Sequence, residues 1–128
     1  MAKRGISPTQ RTLRELRQQG CLCDIVERFN SFAGPFGKRI DLFGFIDIIA
    51  LAPNSIRGIQ SCGQAFAEHE KKILENEYAP EWLKSGGEIE LWGWRKVKKV
   101  RGGKQEVWSP RFRKFTLNDF IEEKEEGK

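Results

Sequence analysis

Histidine and cysteine are scarce in this chain of 128 residues, which has one His and three Cys. An odd number of cysteines, together with an N-terminus that lacks the apolar stretch of a signal peptide, argues against a disulfide framework. The arrangement of Cys21, Cys23, Cys62 and His69 is not a usual zinc spacing. The pattern therefore favours cysteines that act as small buried hydrophobes over a Cys3His zinc site.

Long apolar runs and the common catalytic motifs are also missing. No run approaches the ~20 apolar residues of a membrane helix, so we expect no membrane partner and a cytoplasmic location. The sequence has no Gly-x-Ser-x-Gly, no phosphate-binding loop and no dinucleotide-binding glycine pattern. Serine hydrolases, P-loop enzymes and Rossmann oxidoreductases are thereby disfavoured.

What the chain does have is a surplus of positive charge. Hydrophobic residues are 38% and charged residues 32%, as in a globular protein, and the length fits one domain, which we place at residues 1–120. Residues 121–128 hold four Glu and two Lys, carry −2 and are predicted to be a disordered acidic tail. Since the net charge is +5, the remainder carries +7, which favours a polyanionic partner such as nucleic acid.

The hydrophobic pattern predicts an α/β fold with layers around a central sheet. After a loose leader, Ser7-Pro8 opens a helix that Gly20 ends. The remaining predicted elements are strands at 21–29, 40–51 and 55–62, helices at 64–76 and 79–84, a strand at 88–94 that continues as a basic arm to 101, a turn at Gly102-Gly103 and a return strand at 105–116.

Asp47 is unusual because it lies inside a β-rich apolar run, where an uncompensated charge is costly. With period-two alternation, Asp41, Phe43, Phe45 and Asp47 share one face of the predicted second strand, and the two phenylalanines are expected in the core. Gln60 and Cys62 share one face of the next strand. If the strands pair, Asp47 and Gln60 converge at one end of the sheet.

Glu27, near the end of the predicted first strand, can join Asp47 and Gln60. Carboxylates, an amide oxygen and waters suit Mg²⁺, which can assist attack on a phosphodiester. Structural alternatives remain open at this point. Asp47 can pair with an arginine or cap a turn, Gln60 can bond the backbone, and Glu27 can form a surface pair with Arg28.

The segment Ile46-Asp47-Ile-Ile-Ala, followed by Ile59-Gln60-Ser-Cys62, resembles the core of the PD-(D/E)XK nucleases, and especially the archaeal Holliday-junction resolvase branch. The resemblance covers roughly residues 9–95. It implies a restriction-endonuclease-like αβββαβ core with a mixed central sheet, to which this chain adds a basic C-terminal β-hairpin. It also implies Mg²⁺ or Mn²⁺ as cofactor, DNA as partner and a homodimer, in a prokaryotic cell or encoded by a virus.

The resemblance implies a role for each matching residue. Asp47 is the metal-binding aspartate, Gln60 stands at the Asp/Glu position, and Cys62 stands where the family usually has lysine. A lysine of the following helix, Lys72 in preference to Lys71, would then take over. The first-motif acid is Glu27 or Glu15, and Asp41 is a further metal ligand. The predicted catalytic set is therefore Asp47, Gln60, Lys72 and Glu27, and the predicted metal set is Asp47, Gln60, Glu27 and Asp41.

Two basic surfaces are predicted to contact phosphates. The first is a helical stripe of Arg11, Arg14 and Arg17. The second is the C-terminal hairpin, whose cations interleave with Trp92, Trp94 and Trp108; these rings either stack on unpaired bases or, as we favour, pack on the core. Its cations are Arg95, Lys96, Lys98, Lys99, Arg101 and Lys104.

The sequence thus predicts a metal-dependent deoxyribonuclease that hydrolyses DNA phosphodiester bonds, with selectivity for branched or junction DNA. The alternatives are a nuclease-fold protein that binds DNA without cutting it, and a basic structural or RNA-associated module.

Overall fold

A computed structural model of the chain describes residues 6–120. The predicted acidic tail at 121–128 and the first five residues of the leader lie outside the described part. The described part is a single small α/β domain. Its elements are α1 (Pro8–Gln18), β1 (Leu22–Ile25), β2 (Arg28–Asn30), β3 (Lys38–Ile40), β4 (Ile48–Ala52), β5 (Ser55–Cys62), α2 (Phe66–Leu74), α3 (Ala79–Lys84), β6 (Gly87–Lys98) and β7 (Glu106–Phe115).

Five strands form a mixed sheet in the order β1-β4-β5-β6-β7. Only β5 and β6 are parallel, with Gln60 beside Leu91, because α2 and α3 supply the crossover that a parallel connection requires. The other neighbours are antiparallel, and β4 pairs with β5 in a register that sets Ile48 opposite Ile59. The strands β2 and β3 form a separate two-stranded sheet.

Helix α1 covers one face of the main sheet. Its first turn is capped by Ser7, whose Oγ accepts from the Gln10 N–H at 3.1 Å, and Pro8 stands at the first helical position. Leu13 and Leu16 are buried on the stripe that faces the strands. They pack in a cluster with Cys23, Ile48, Ala50, Ile59, Trp92 and Trp94.

Helices α2 and α3 lie on the other face. The core there joins side chains of both helices to the loop before β4 and to the strands. Its buried members are Phe45, Ile46, Cys62, Phe66, Ile73, Ala79, Ile89, Leu91 and Phe115. Since each face has its own cluster, the central strands are covered on both sides, which accounts for their near-continuous apolar sequence.

The predicted strand at 40–51 is wrong in its first half. A tight loop at 41–47 separates β3 from β4, with Phe43 at φ 56° and Gly44 at φ 85°. A bridge between Leu42 and Ile46 closes the loop, so its members do not alternate across a strand. Phe43, expected in the core, is half exposed, whereas Phe45 is buried as predicted.

The predicted strand at 21–29 is divided between β1 and β2, and the turn-rich segment after it holds the unpredicted β2–β3 hairpin. Helix α2 is shorter at both ends than the predicted 64–76. The predictions for β5 and α3 are confirmed at both bounds. Among residues 6–120, no helix is both long and apolar enough to cross a membrane.

Candidate metal centre

Asp47 is fixed at the start of β4 by the backbone on both sides. Its N–H donates to the Ile59 carbonyl at 2.9 Å, and its carbonyl accepts from the Val26 N–H at 3.0 Å. Continuing the β4–β5 register by one residue sets Asp47 directly opposite Gln60. The predicted convergence of these two residues is therefore present, at the end of the strand pair.

The side chains of Asp47 and Gln60 are in contact, and each is only 3% exposed. Gln60 Nε2 donates to Asp47 Oδ2 at 3.0 Å, and the Ser61 N–H donates to the same oxygen at 3.1 Å. Asp47 Oδ1 and Gln60 Oε1, in contrast, are buried and accept no hydrogen bond from the described residues. Buried acceptors without partners are costly, so these two oxygens call for a donor or a cation.

Two further carboxylates lie beside Asp47. Asp41, at the other end of the 41–47 loop, accepts from Gln60 Nε2 at 3.1 Å. Glu27 follows Val26 in the link between β1 and β2. One oxygen from each of Glu27, Asp41 and Asp47 lies within 4.8 Å of the others, so the three acids could hold one metal ion. The structure therefore brings together all four residues of the predicted metal set, which are Asp47, Gln60, Glu27 and Asp41.

Burial raises the pKa of Asp47 from its ordinary value of 3.8 to about 7. The nearby charges of Asp41 and Glu27 contribute to this rise, and the hydrogen bonds that the Ser61 N–H and the Gln60 amide donate to the carboxylate oppose it. An arginine partner for Asp47, one of its two structural alternatives, is absent among residues 6–120. The carboxylate is therefore held in a site where a cation would stabilise its charged form.

Lys72 is the helix lysine that reaches this cluster. Its Nζ lies 3.0 Å from Asp41 Oδ2, across the gap between α2 and the loop. Lys71 lines a cleft on another side of α2, with Glu70, Leu74 and Asp119 among its neighbours. The first-motif alternative Glu15 accepts from Gln19 within the helical region and is not a member of the acidic cluster.

Cys62 occupies the motif lysine position as a buried thiol. Burial raises its pKa to about 11, Asp47 adds to the rise, and Arg111 opposes it. The thiol is therefore neutral at pH 7 and supplies no positive charge. Cys62 lies in the core under α2 while Cys21 and Cys23 belong to the cluster under α1, so the thiols do not converge on a zinc site.

Arg111 of β7 is a cation near Cys62 that was not among the predicted site residues. Its guanidinium carbon lies 4.4 Å from the centre of the Phe66 ring. In the strand register Arg111 faces Gly93, which places it on the same face as Cys62. Only the pairing of β6 with β7 reveals this, because the sequence gives no sign of which alternate residues of β7 face the site.

Three of the nine basic residues predicted to contact phosphates meet in one cleft. Arg11, Arg95, Lys96 and Trp108 line a common cleft, in which the Arg11 guanidinium carbon lies 4.0 Å from the centre of the Trp108 ring. Trp108 is 43% exposed. Trp92 and Trp94 are buried in the cluster under α1, as favoured above, and are not available for stacking.

The other predicted cations are exposed but lie apart from this cleft. Arg14 and Arg17 line a second cleft along α1, and Arg17 also donates to the Cys23 carbonyl at 3.4 Å. The remaining four lie at the end of β6 and in the loop to β7. They are Lys98, Lys99, Arg101 and Lys104.

Two ion pairs in this region were not predicted. Arg39 of β3 contacts Glu27 at 2.6 Å, so one oxygen of Glu27 is already held. On the α1 face, Arg57 and Glu90 form a two-pronged ion pair with both contacts at 2.8 Å. These partners are 12 and 33 residues apart, and only strand pairing brings them together.

No family model, curated protein or solved structure matches this chain. The function must therefore be argued from the site itself.

Proposed function

We propose that this protein is a metal-dependent deoxyribonuclease with the PD-(D/E)XK core. The observation that carries the proposal is the pair of buried acceptors, Asp47 Oδ1 and Gln60 Oε1, that lack donors beside the carboxylates of Asp41 and Glu27. Hard oxygen ligands of this kind are those that Mg²⁺ and Mn²⁺ take. A divalent cation held by Glu27, Asp41 and Asp47 would offset the mutual repulsion of the three acids.

The order of elements supports the same core. Without the β2–β3 hairpin, the chain reads α1, three antiparallel strands β1, β4 and β5, then α2 and the parallel strand β6. Leaving out the short helix α3 as well, this order agrees with the αβββαβ core that the resemblance implies, in which Asp47 and Gln60 stand at the motif positions. Gln60 for an acid and Cys62 for lysine are the two departures.

Each residue has a distinct part in the proposed hydrolysis. Asp47, Gln60, Asp41 and Glu27 would hold the cation, which would supply Lewis-acid activation of a phosphoryl oxygen and of water. Lys72, 3.0 Å from Asp41, replaces the charge that Cys62 lacks and is placed to steady an anionic phosphate. Arg111 is a further cation on this face. Asp47, with a pKa of about 7, would hold a cation in its deprotonated form, so we expect metal binding to tighten as pH rises through 7.

DNA is the proposed substrate because the chain carries +5 and concentrates cations beside an exposed ring. Phosphates would contact Arg11, Arg95 and Lys96 in the common cleft, with Trp108 as a stacking surface. Branched or junction DNA and a homodimeric enzyme are part of the proposal, as the resemblance to resolvases implies.

A cleavage assay in Mn²⁺ tests the proposal on linear, single-stranded, flapped and four-way DNA. We expect the wild type to cut at least one of these substrates and Asp47→Ala to abolish cutting while retaining DNA binding. Asp24→Ala, which removes an exposed aspartate on β1, is the matched control and should cut like the wild type. Cleavage by Asp47→Ala at the wild-type rate would exclude this site.

The same test can compare the two candidate first-motif acids. Glu27→Gln is expected to slow cleavage because it removes a carboxylate of the cluster. Glu15→Gln should leave the rate unchanged because that side chain bonds Gln19 instead. The reverse result would place the metal site nearer α1.

A second candidate is a DNA-binding protein that does not cut. This candidate is favoured because side-chain donors already bind the carboxylates without a metal ion. Gln60 Nε2 donates to both Asp41 and Asp47, and Lys72 donates to Asp41. In this case Mn²⁺ would give no cleavage by the wild type on any substrate. DNA binding would nevertheless persist and weaken steeply with salt.

A further inference from the structure

The hairpin at residues 28–40, named here the Phe hairpin, exposes three aromatic rings. Phe29 is 62% exposed, Phe32 94% and Phe36 91%. Exposed apolar side chains that are grouped on one segment mark an interaction surface, whereas scattered ones do not. Across the hairpin the ring of Phe29 lies against Gly37, where a Cβ atom would collide with it. Phe29 therefore stiffens the hairpin, and Phe32 and Phe36 are left as its free rings.

The charge of the Phe hairpin favours a polyanion as its partner. Residues 28–40 include the cations Arg28, Lys38 and Arg39 and no Asp or Glu. Two copies of this surface meeting across a two-fold axis would bring like charges together, which opposes self-association. Nucleic acid satisfies both features, since phosphates neutralise the cations and bases stack on aromatic rings.

The position of the Phe hairpin ties it to the candidate metal centre. Glu27 directly precedes the hairpin and Asp41 directly follows it, and both belong to the acidic cluster. The Arg39–Glu27 ion pair, at 2.6 Å, holds the hairpin on that cluster. A cleft at its base is lined by Ile25, Glu27, Arg28, Phe29 and Arg39. DNA held by the hairpin would therefore have its backbone next to the acids.

We propose that the Phe hairpin is a wedge that recognises DNA with unpaired or unstacked bases. Phe32 and Phe36 enter between or stack on the exposed bases, while Arg28 and Lys38 contact the flanking phosphates. The substrate class is DNA whose duplex is interrupted by a branch, flap or gap. This inference rests on the proposed action on DNA and narrows it, because continuous duplex offers the free rings no accessible base face.

A binding experiment without divalent metal tests the wedge independently of catalysis. Two probes are used, a flapped DNA with 2-aminopurine at the branch and a continuous duplex of the same sequence. The wild type should bind the flapped probe and raise its 2-aminopurine fluorescence, which reports unstacking. Phe32→Ala/Phe36→Ala should lose the fluorescence rise and bind the flapped probe on the order of tenfold more weakly. Its affinity for continuous duplex should be unchanged.

Leu22→Ala is the control, since Leu22 is an exposed apolar residue on β1 outside the Phe hairpin. It should behave like the wild type on both probes. Equal affinities of the double variant and the wild type for the flapped probe would overturn the wedge. An equal loss of affinity for both probes would also overturn the wedge, because it would indicate DNA binding that does not depend on unpaired bases.

Two other partners are distinguished by further measurements on the same variant. Loss of a dimer in sedimentation velocity, with DNA affinity unchanged, would make the Phe hairpin a contact between copies and overturn the proposal. Loss of binding to phosphatidylserine vesicles, with DNA affinity unchanged, would overturn it in favour of a lipid surface. If the substitutions change neither the binding of vesicles nor the binding of DNA, the proposal is overturned as well.

The experiments distinguish a failure of the wedge proposal from a failure of the nuclease proposal. A wild type that unstacks the flapped probe but cuts no DNA in Mn²⁺ supports the wedge and overturns the hydrolytic function. Conversely, a wild type that cuts DNA, with the double variant equally active on flapped DNA, supports the nuclease and overturns the wedge.

Discussion

At the residue scale, the carboxyl group of Asp47 links the stability of the fold to pH. Its pKa is about 7 when folded and near 3.8 when unfolded. Between these values the folded state binds more protons than the unfolded state, so stability falls as pH rises and the loss is complete above the folded pKa. Asp47→Asn removes the ionisable group and with it this part of the pH dependence.

We therefore expect the free energy of unfolding of Asp47→Asn, relative to the wild type, to be higher at pH 8 than at pH 5 by on the order of 2 kcal/mol. Urea unfolding of both proteins in EDTA at the two pH values measures this difference. Asp24→Asn is the control and should show no such difference, because its side chain is exposed. A pH-independent offset between Asp47→Asn and the wild type would mean that Asp47 titrates normally.

Lys72 and Lys71 are adjacent in sequence yet differ in what they face. Lys72 contacts Asp41, whereas Lys71 points to the cleft beside Glu70. We expect Lys72→Met to lower kcat for DNA cleavage by about 100-fold, the range of a lost electrostatic stabiliser, with little change in DNA affinity. Lys71→Met removes the same charge from the same helix and should cut at the wild-type rate. Equal losses would show a general effect of helix charge.

At the element scale, a buried hydroxyl connects α1 to the sheet. Thr12 Oγ1 donates to the Pro8 carbonyl and accepts from both Ser61 Oγ and Trp94 Nε1, all at 2.9 Å. Thr12→Val keeps the shape but leaves two buried donors without an acceptor. We expect the free energy of unfolding to fall by about 2–6 kcal/mol, since each of the two donors costs about 1–3 kcal/mol when it is left unsatisfied.

Urea unfolding measures this loss, and Thr9→Val supplies the matched control on the same helix. Thr9 is only partly buried, and none of the hydrogen bonds of the described residues involves its side chain. Its substitution should change stability by less than about 0.5 kcal/mol. Similar losses of stability in the two variants would indicate that the low helix propensity of valine, and not the loss of hydrogen bonds, is the cause.

The elements also show which parts of the fold can be predicted from sequence. The strand β5 and the helix α3 have clear boundaries, at the turn before Ser55 and at Pro80 and Gly86-Gly87, and both were predicted correctly. The 41–47 loop was not, because its apolar residues continue the strand pattern and only Gly44 interrupts them. Its turn depends on Phe43 at positive φ, held by a 3.0 Å hydrogen bond from Asn76 to the Phe43 carbonyl.

The candidate site also has a part that could be predicted from the sequence and a part that could not. Asp47 and Gln60 could be paired from sequence because adjacent strands of fixed period make them neighbours. The partners Arg39, Arg57 and Arg111 could not, because each reaches its contact only through tertiary pairing that the sequence does not specify. Glu27 was predicted from a strand that is not continuous, and it reaches the cluster because β1 ends beside Asp47.

At the scale of the whole molecule, the net charge of +5 predicts DNA binding that depends strongly on salt. The end of β6 provides the test, since Lys98 and Lys99 contact no carboxylate of residues 6–120. Each lysine that neutralises a phosphate contributes about −0.9 to the slope of log Kobs against log salt on duplex DNA. Lys98→Gln/Lys99→Gln should therefore make the slope shallower by roughly one to two units and weaken binding equally across sequences.

Lys84→Gln/Lys114→Gln is the control of equal charge. Lys84 lies 3.8 Å from Glu81 and Lys114 lies 3.4 Å from Glu88, so each already faces a carboxylate. Fluorescence anisotropy with a labelled duplex at several salt concentrations gives the slopes, and we expect the control to match the wild type. If both double variants shift the slope equally, DNA binding depends on the total charge of the protein and not on the lysines at the end of β6. A shift in the first variant alone places the phosphate backbone near the end of β6, because screening confines the effect of each lysine to about one Debye length.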